Sequence, residues 1–289
     1  MIVIKKKLRL LAFVLIFIIV SPIVVLYAKG DIFANGWSIL KTGGIYVTKA
    51  PTGSEVLLNG KVEDTTSFFK RDILIKSLRP AVYTLLVQKD GYNSWKDIVK
   101  VGDNLVTDAN VFVLPTKVPL EEIQKYTSTT TLKKKNQEYI DIAAVFATSS
   151  PVISKKFFAT TTVEFKNNFG IKTSPIMSGK IGLWKEGDIV YSAWFGRDDS
   201  APKYFCDINA CTKTLTVFDA ETTIRRINFL PSYDGVAIVA FGDKIVAIQL
   251  ENNPDKKPQL IYQGSVPDFR IIDGELYIKD GATISHVTL

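Results

Sequence analysis

Residues 224–264 read IRRINFLPSYDGVAIVAFGDKIVAIQLENNPDKKPQLIYQG, and this stretch decides the class of the fold. Four apolar runs, Ile224–Leu230, Val236–Phe241, Lys244–Leu250 and Gln259–Tyr262, are separated by turn residues at Pro231–Gly235 and Gly242-Asp243 and by a polar loop at Glu251–Pro258. Each run is too short for an ordinary helix, is rich in Ile and Val, and is bounded by Gly, Pro, Asp or Asn, the residues that punctuate strands. Four strands closed by Gly264 in about 40 residues is the period of a propeller blade.

The plan recurs on both sides. Downstream, Pro267–Ile272, Gly274–Lys279 and Ala282–Leu289 begin it again, with Asp273-Gly274 and Asp280-Gly281 as turns. Upstream, Ile181–Trp184, Asp188–Phe195, Tyr204–Cys206 and Lys213–Phe218 make a third copy, and Phe157–Phe165 starts a fourth. At about 40 residues per blade, residues 136–289 hold three to four blades, a small or incomplete propeller.

A different β pattern occupies residues 44–114. Ile45–Val47, Glu55–Leu58, Ile73–Leu78, Val82–Gln88, Ile98–Val101 and Asn110–Leu114 are short β-type runs without helical periodicity between them, which predicts a small antiparallel sandwich. Asn59-Gly60 is a strong hairpin signal, because both turn residues accept positive φ. Pro115–Pro119 ends the sandwich, Leu120–Tyr126 reads as one or two helical turns begun by Glu121 and Glu122, and residues 115–135 form a linker. Lys133, Lys134 and Lys135 belong to that solvated stretch.

The turn positions of this segment resemble the PEGA domain. Pro51, Gly53, Val56, Asn59 and Gly60 match the first half of its pattern, and Leu78, Pro80, Tyr83, Val87, Gly91 and Tyr92 match the second. The sequence departs from the pattern at Ser54-Glu55, at Asn59, at Ala81, and at Thr65-Thr66, where a Thr-Pro pair is usual. The resemblance implies a microbial cell-surface β-module, appended to other domains and without catalytic residues. More narrowly, the Pro231–Gly235 turn is similar to the Ser-Pro-Asp-Gly turn of a propeller-repeat family found in bacterial periplasmic translocation proteins, which implies a binding scaffold.

Ahead of both β regions lies an uncharged apolar run from Leu10 to Ala28, entered through Lys5, Lys6, Lys7 and Arg9. As a helix these nineteen residues reach roughly 28 Å, close to the hydrocarbon thickness of a bilayer. The preceding cations favour a cytoplasmic N-terminus and an exported remainder. Residues 1–29 are therefore expected to be a cytoplasmic tip and transmembrane anchor with the lipid bilayer as partner, and residues 30–43 a connector containing Trp37. A cleaved signal peptide is the alternative, since Ala28, Lys29 and Gly30 fit a cleavage site. The expected fold class is thus all-β: one N-terminal transmembrane helix, a sandwich, then a propeller-like array.

Little in the chain points to catalysis. The net charge is +7, but Lys5, Lys6, Lys7, Arg9 and Lys29 supply five of those units, so the rest is nearly balanced and no nucleic acid is expected. Cys206 and Cys211, the two cysteines, are read as a disulfide closing a hairpin loop; a metal site would need more ligands, and a redox motif a closer spacing. The single histidine, His286, alternates with Ile284 and Val287 as a strand member does, and Asp198-Asp199 precedes Ser-Ala-Pro as in a solvated turn. No metal, cofactor or catalytic residue is assigned. Two classes of function stay open: a non-catalytic envelope protein contacting another protein or a cell-wall polymer, and a glycan-binding module using Trp95, Trp184 or Trp194. The exposure of those three rings separates the two.

Overall fold

The computed structural model describes residues 2–29, 32–34, 38–125, 173–197, 200–206, 211–251 and 256–289. They form one α-helix, α1 (Ile2–Lys29), and 21 strands, so the fold is mostly β, as expected. Phe157–Phe165, Trp37, Lys133 to Lys135 and Asp198-Asp199 lie outside the described residues. Contacts divide the chain into two compact units, residues 1–90 with 94–113, and residues 91–93 with 114–289.

The apolar run is helical, with Pro22 inside α1. The expected transmembrane helix is not shown: among the described residues no helix is long and apolar enough to cross a membrane. The side chains described in α1 are those of residues 11–22, 24 and 25. Within them every residue from Leu11 to Val20 is exposed, and because successive positions turn by about 100° they cover all sides of the helix.

In the first unit, β1 (Ile32–Ala34) and β2 (Ser38–Leu40) pair as a short antiparallel ribbon. Seven further strands follow: β3 (Gly43–Thr48), β4 (Glu55–Leu58), β5 (Lys61–Thr65), β6 (Ile73–Leu78), β7 (Ala81–Gln88), β8 (Trp95–Val101) and β9 (Val106–Asn110). They build a three-stranded sheet, β6-β3-β9, and a four-stranded sheet, β5-β4-β7-β8. Alternation buries one face of each: Ile45 and Val47 on β3, Val56 and Leu58 on β4, Ile73 and Ile75 on β6, Leu85 and Val87 on β7. Each such side chain contributes about 1.5–3 kcal/mol relative to exposure. Asn59 (φ 51°) and Gly60 (φ 83°) form the expected turn between β4 and β5.

The unit differs from its sequence reading at several points: β5 is a strand beyond the six runs, and β8 begins at Trp95 and not at Ile98. The last strand lies earlier, at Val106–Asn110, and pairs in parallel with β3, Gly44 opposite Val106 through Thr48 opposite Asn110. Residues 111–114 are buried but outside any strand; Val111, Phe112, Val113 and Leu114 look strand-like because burial, not pairing, keeps them apolar.

The second unit contains three four-stranded antiparallel sheets. One consists of β11 (Ile176–Ser178), β12 (Ile181–Glu186), β13 (Ile189–Trp194) and β14 (Thr214–Asp219), in order. The next follows the opening sequence closely, with β15 (Ile224–Phe229), β16 (Val236–Phe241), β17 (Lys244–Gln249) and β18 (Gln259–Gln263). Its central strands are apolar on both faces, Ala237 to Ala240 and Ile245 to Ala247 all being buried. Leu183, Val190 and Val217 of the first sheet share a core with Ile224, Ala237, Val239, Val246 and Ile248 of the second.

The third sheet holds β19 (Asp268–Ile272), β20 (Glu275–Asp280), β21 (Thr283–Val287) and, beyond β21, β10 (Leu120–Lys125). Leu120 opposes Val287 and Glu121 opposes His286, so the stretch expected to be helical or linker is a strand. Its edge position explains the composition: the charges of Glu121 and Glu122 and a register shift between Glu122 and Gln124 blunt the open side of the sheet. In the first sheet, Tyr204–Cys206 is likewise no strand; Lys203–Phe205 is a 3-10 turn that inserts Phe205 into the core.

Candidate functional site

Cys206 and Cys211 are joined in a disulfide within the β13–β14 connection. The base of this loop is fastened by neighbouring groups: the Thr212 amide donates to Phe205 O at 2.8 Å, and Phe205 itself is fully buried. Tyr204 packs against Gly235 so closely that a Cβ there would lie 3.0 Å from the ring. Burial, and then the Asp234 carboxylate, push the Tyr204 hydroxyl up to about 12.

Trp95 and Trp184 are buried, each 6% exposed. Trp184 stacks on Tyr191, its cross-strand neighbour, with ring centroids 5.7 Å apart, and Met177, Phe195 and Ala193 complete the cluster. Trp194 is half-buried, donates from Nε1 to Arg197 O at 3.0 Å, and covers Gly196, where a Cβ would come 2.1 Å from the ring. Trp95 belongs to the first unit, and Trp184 and Trp194 to the second.

The PEGA-like turn positions form tight backbone turns. Pro51 O accepts from the Ser54 amide (3.1 Å), the Ser54 hydroxyl (2.7 Å) and the Thr66 hydroxyl (2.6 Å), and Gly53 supplies the positive φ of 83° that this turn requires. Thr66, a departure from the family pattern, therefore closes the turn; two buried hydroxyls three and fifteen residues from Pro51 gave no local signal of it. Asn59 Oδ1 accepts from the Thr84 amide at 2.9 Å. Tyr83, three residues beyond Pro80, donates its hydroxyl to Arg79 O at 2.9 Å. Gly91 O accepts from the Thr116 amide at 2.9 Å, and Tyr92 bridges Pro115.

The densest charged site joins two sheets of the second unit. Arg226 on β15 donates through Nε and Nη2 to Asp268 Oδ1 and Oδ2 at 2.7 and 3.0 Å, and Arg270 on β19 donates through Nη1 to Asp268 Oδ2 at 2.7 Å. Arg225 adds bonds to Pro267 O and Gly242 O. Burial opposes ionisation of Asp268, but Arg226 and then Arg270 more than offset it, so the carboxyl lies below its usual range. Bidentate geometry of this kind fixes sheet against sheet. Nearby, Asp280 accepts from the Ser265 and Val266 amides (3.0 and 3.1 Å) and from the Tyr262 hydroxyl (3.2 Å), clasping the β18–β19 connection.

His286 on β21 pairs with Glu275 and lies beside the Tyr277 ring, both on the same sheet. A cleft of about 540 Å³ opens next to Ile176, Leu183, Trp184, Lys185 and Ile227. Among the described residues no group of His, Cys, Asp and Glu could hold a metal ion. The contacts above orient loops and lock sheets together. The chain matches no protein-family model and no curated protein.

Proposed function

We propose that this chain is a non-catalytic cell-envelope protein, held in the bilayer by α1 with its N-terminus in the cytoplasm. On this reading the PEGA-like sandwich and a propeller-like head stand on the extracytoplasmic side, where they contact another envelope protein or a cell-wall polymer.

The observation that carries the reading is the exposed apolar surface of α1: from Phe13 to Val20 each side chain is 45–74% exposed, on every side of the helix. Water penalises such a surface and hydrocarbon does not. The uncharged run from Leu10 to Ala28 and the cations before it support insertion in this direction at the level of the sequence. A disulfide fits an oxidising compartment. The pairing of β10 with β21 supports a propeller-like head, since a strand from the start of the array completes its last sheet. Burial of Trp95 and Trp184 favours this reading over a glycan-stacking module. The test is twofold: sedimentation of the detergent-solubilised full chain with isolated cell-wall sacculi, and crosslinking of the chain to envelope proteins in intact cells. Reproducible enrichment in one of the two is expected; enrichment in neither contradicts the proposal.

A further inference from the structure

The connection between β5 and β6 is a built apolar tip. Ser67 and Lys70 exchange backbone hydrogen bonds, the Ser67 amide to Lys70 O at 2.8 Å and the Lys70 amide to Ser67 O at 3.1 Å, and the Ser67 hydroxyl accepts a further bond from the Lys70 amide at 3.2 Å. This closed four-residue turn holds Phe68 and Phe69 outward, 69% and 96% exposed. Their rings meet edge to face at 5.2 Å. Lys70 pairs with Asp64 at the base of the turn, the Asp72 carboxylate accepts from the Tyr46 hydroxyl, and the Arg71 guanidinium lies 6.0 Å from the Phe68 ring centroid. On β6, just beyond, Leu74 is also exposed.

We propose that this tip dips into the headgroup layer of the bilayer, giving the first unit a lipid contact besides α1. The inference rests on the anchored reading for the proximity of the membrane. Residues 30–42 span at most roughly 45 Å even when fully extended, the pairing of β1 with β2 folds part of that length back, and β3, whose far end lies beside the tip with Val47 opposite Ile73, adds only about 20 Å. Two protruding rings flanked by cations suit the boundary between headgroups and acyl chains, where aromatic rings sit at the interface and Lys or Arg reaches the phosphates. A preformed turn loses little conformational freedom on insertion.

The chain's only cysteines are paired, so Phe69→Cys provides one labelling site for an environment-sensitive fluorophore. The labelled full chain is reconstituted in vesicles of phosphatidylcholine and phosphatidylglycerol carrying headgroup-level spin-labelled lipid, with Lys257→Cys as an exposed control. Blue-shifted emission and quenching at position 69 but not at 257 are expected, with loss of quenching on adding Arg71→Glu. Water-like emission at 69 overturns the proposal, as does a blue shift that grows with protein concentration without lipid quenching, which identifies a second copy as the occupant. A carbonate wash separates this inference from the anchor: a retained chain with a water-exposed label refutes the tip alone, whereas a released chain whose label was quenched before the wash refutes the anchor alone.

Discussion

Asp268 carries two arginines, and its replacement is unequally costly at different pH. Asp268→Asn leaves the Arg226 and Arg270 guanidinium groups, 25% and 10% exposed as side chains, without their carboxylate. The cost is about 2 kcal/mol near neutral pH, below the fully buried range because water reaches the pair. The carboxyl is depressed in the folded state, so its stabilisation is present above the unfolded value of about 3.9 and disappears as pH falls through the folded value. Thermal unfolding of the full chain in detergent should therefore show wild type and Asp268→Asn separated at pH 7 and converging below about pH 4. A separation that persists unchanged at lower pH contradicts the assignment. At this scale the sequence was legible where chemistry is local. Asn59-Gly60 announces its own turn, and two cysteines separated by four residues announce their bond. It was opaque where partners are distant: nothing near Asp268 names Arg226, 42 residues away, and nothing near Pro51 names Thr66.

Strands between close turns were legible for the same reason. β4, β6 and β16 fall on the runs read for them, and β15, β17 and β18 differ from theirs by a residue at an end, because alternation and turn residues lie within each segment. β10 is the informative exception. Leu120 and Ile123 are spaced as on a helix face, and only pairing with β21, more than 150 residues later, makes the segment a strand. Parallel pairing of β9 with β3 is equally non-local. If β10 completes the third sheet, substituting both Glu121 and Glu122 by Pro must remove a ladder donor, since successive amides of a strand point to opposite sides. We expect loss of about 1–3 kcal/mol locally, read as amide exchange in β21 faster by roughly tenfold or more, with β15 to β18 unchanged. Unchanged protection across Thr283–Val287 would return residues 120–125 to a linker.

At the scale of the molecule, the architecture follows from how apolar residues are distributed. The β regions alternate or bury them between sheets; α1 exposes them on every described side. The proposals about location and partners rest on that exposed apolar surface, which hydrocarbon would cover without the penalty that water imposes. The most direct measurement is carbonate extraction of cell membranes containing the full chain, followed by protease treatment of intact spheroplasts. The account predicts that the chain stays in the membrane pellet at its full length, and that external protease degrades both β units while a short N-terminal fragment survives. A chain released into the carbonate supernatant, or shortened at Ala28-Lys29-Gly30, or protected from external protease, would contradict it.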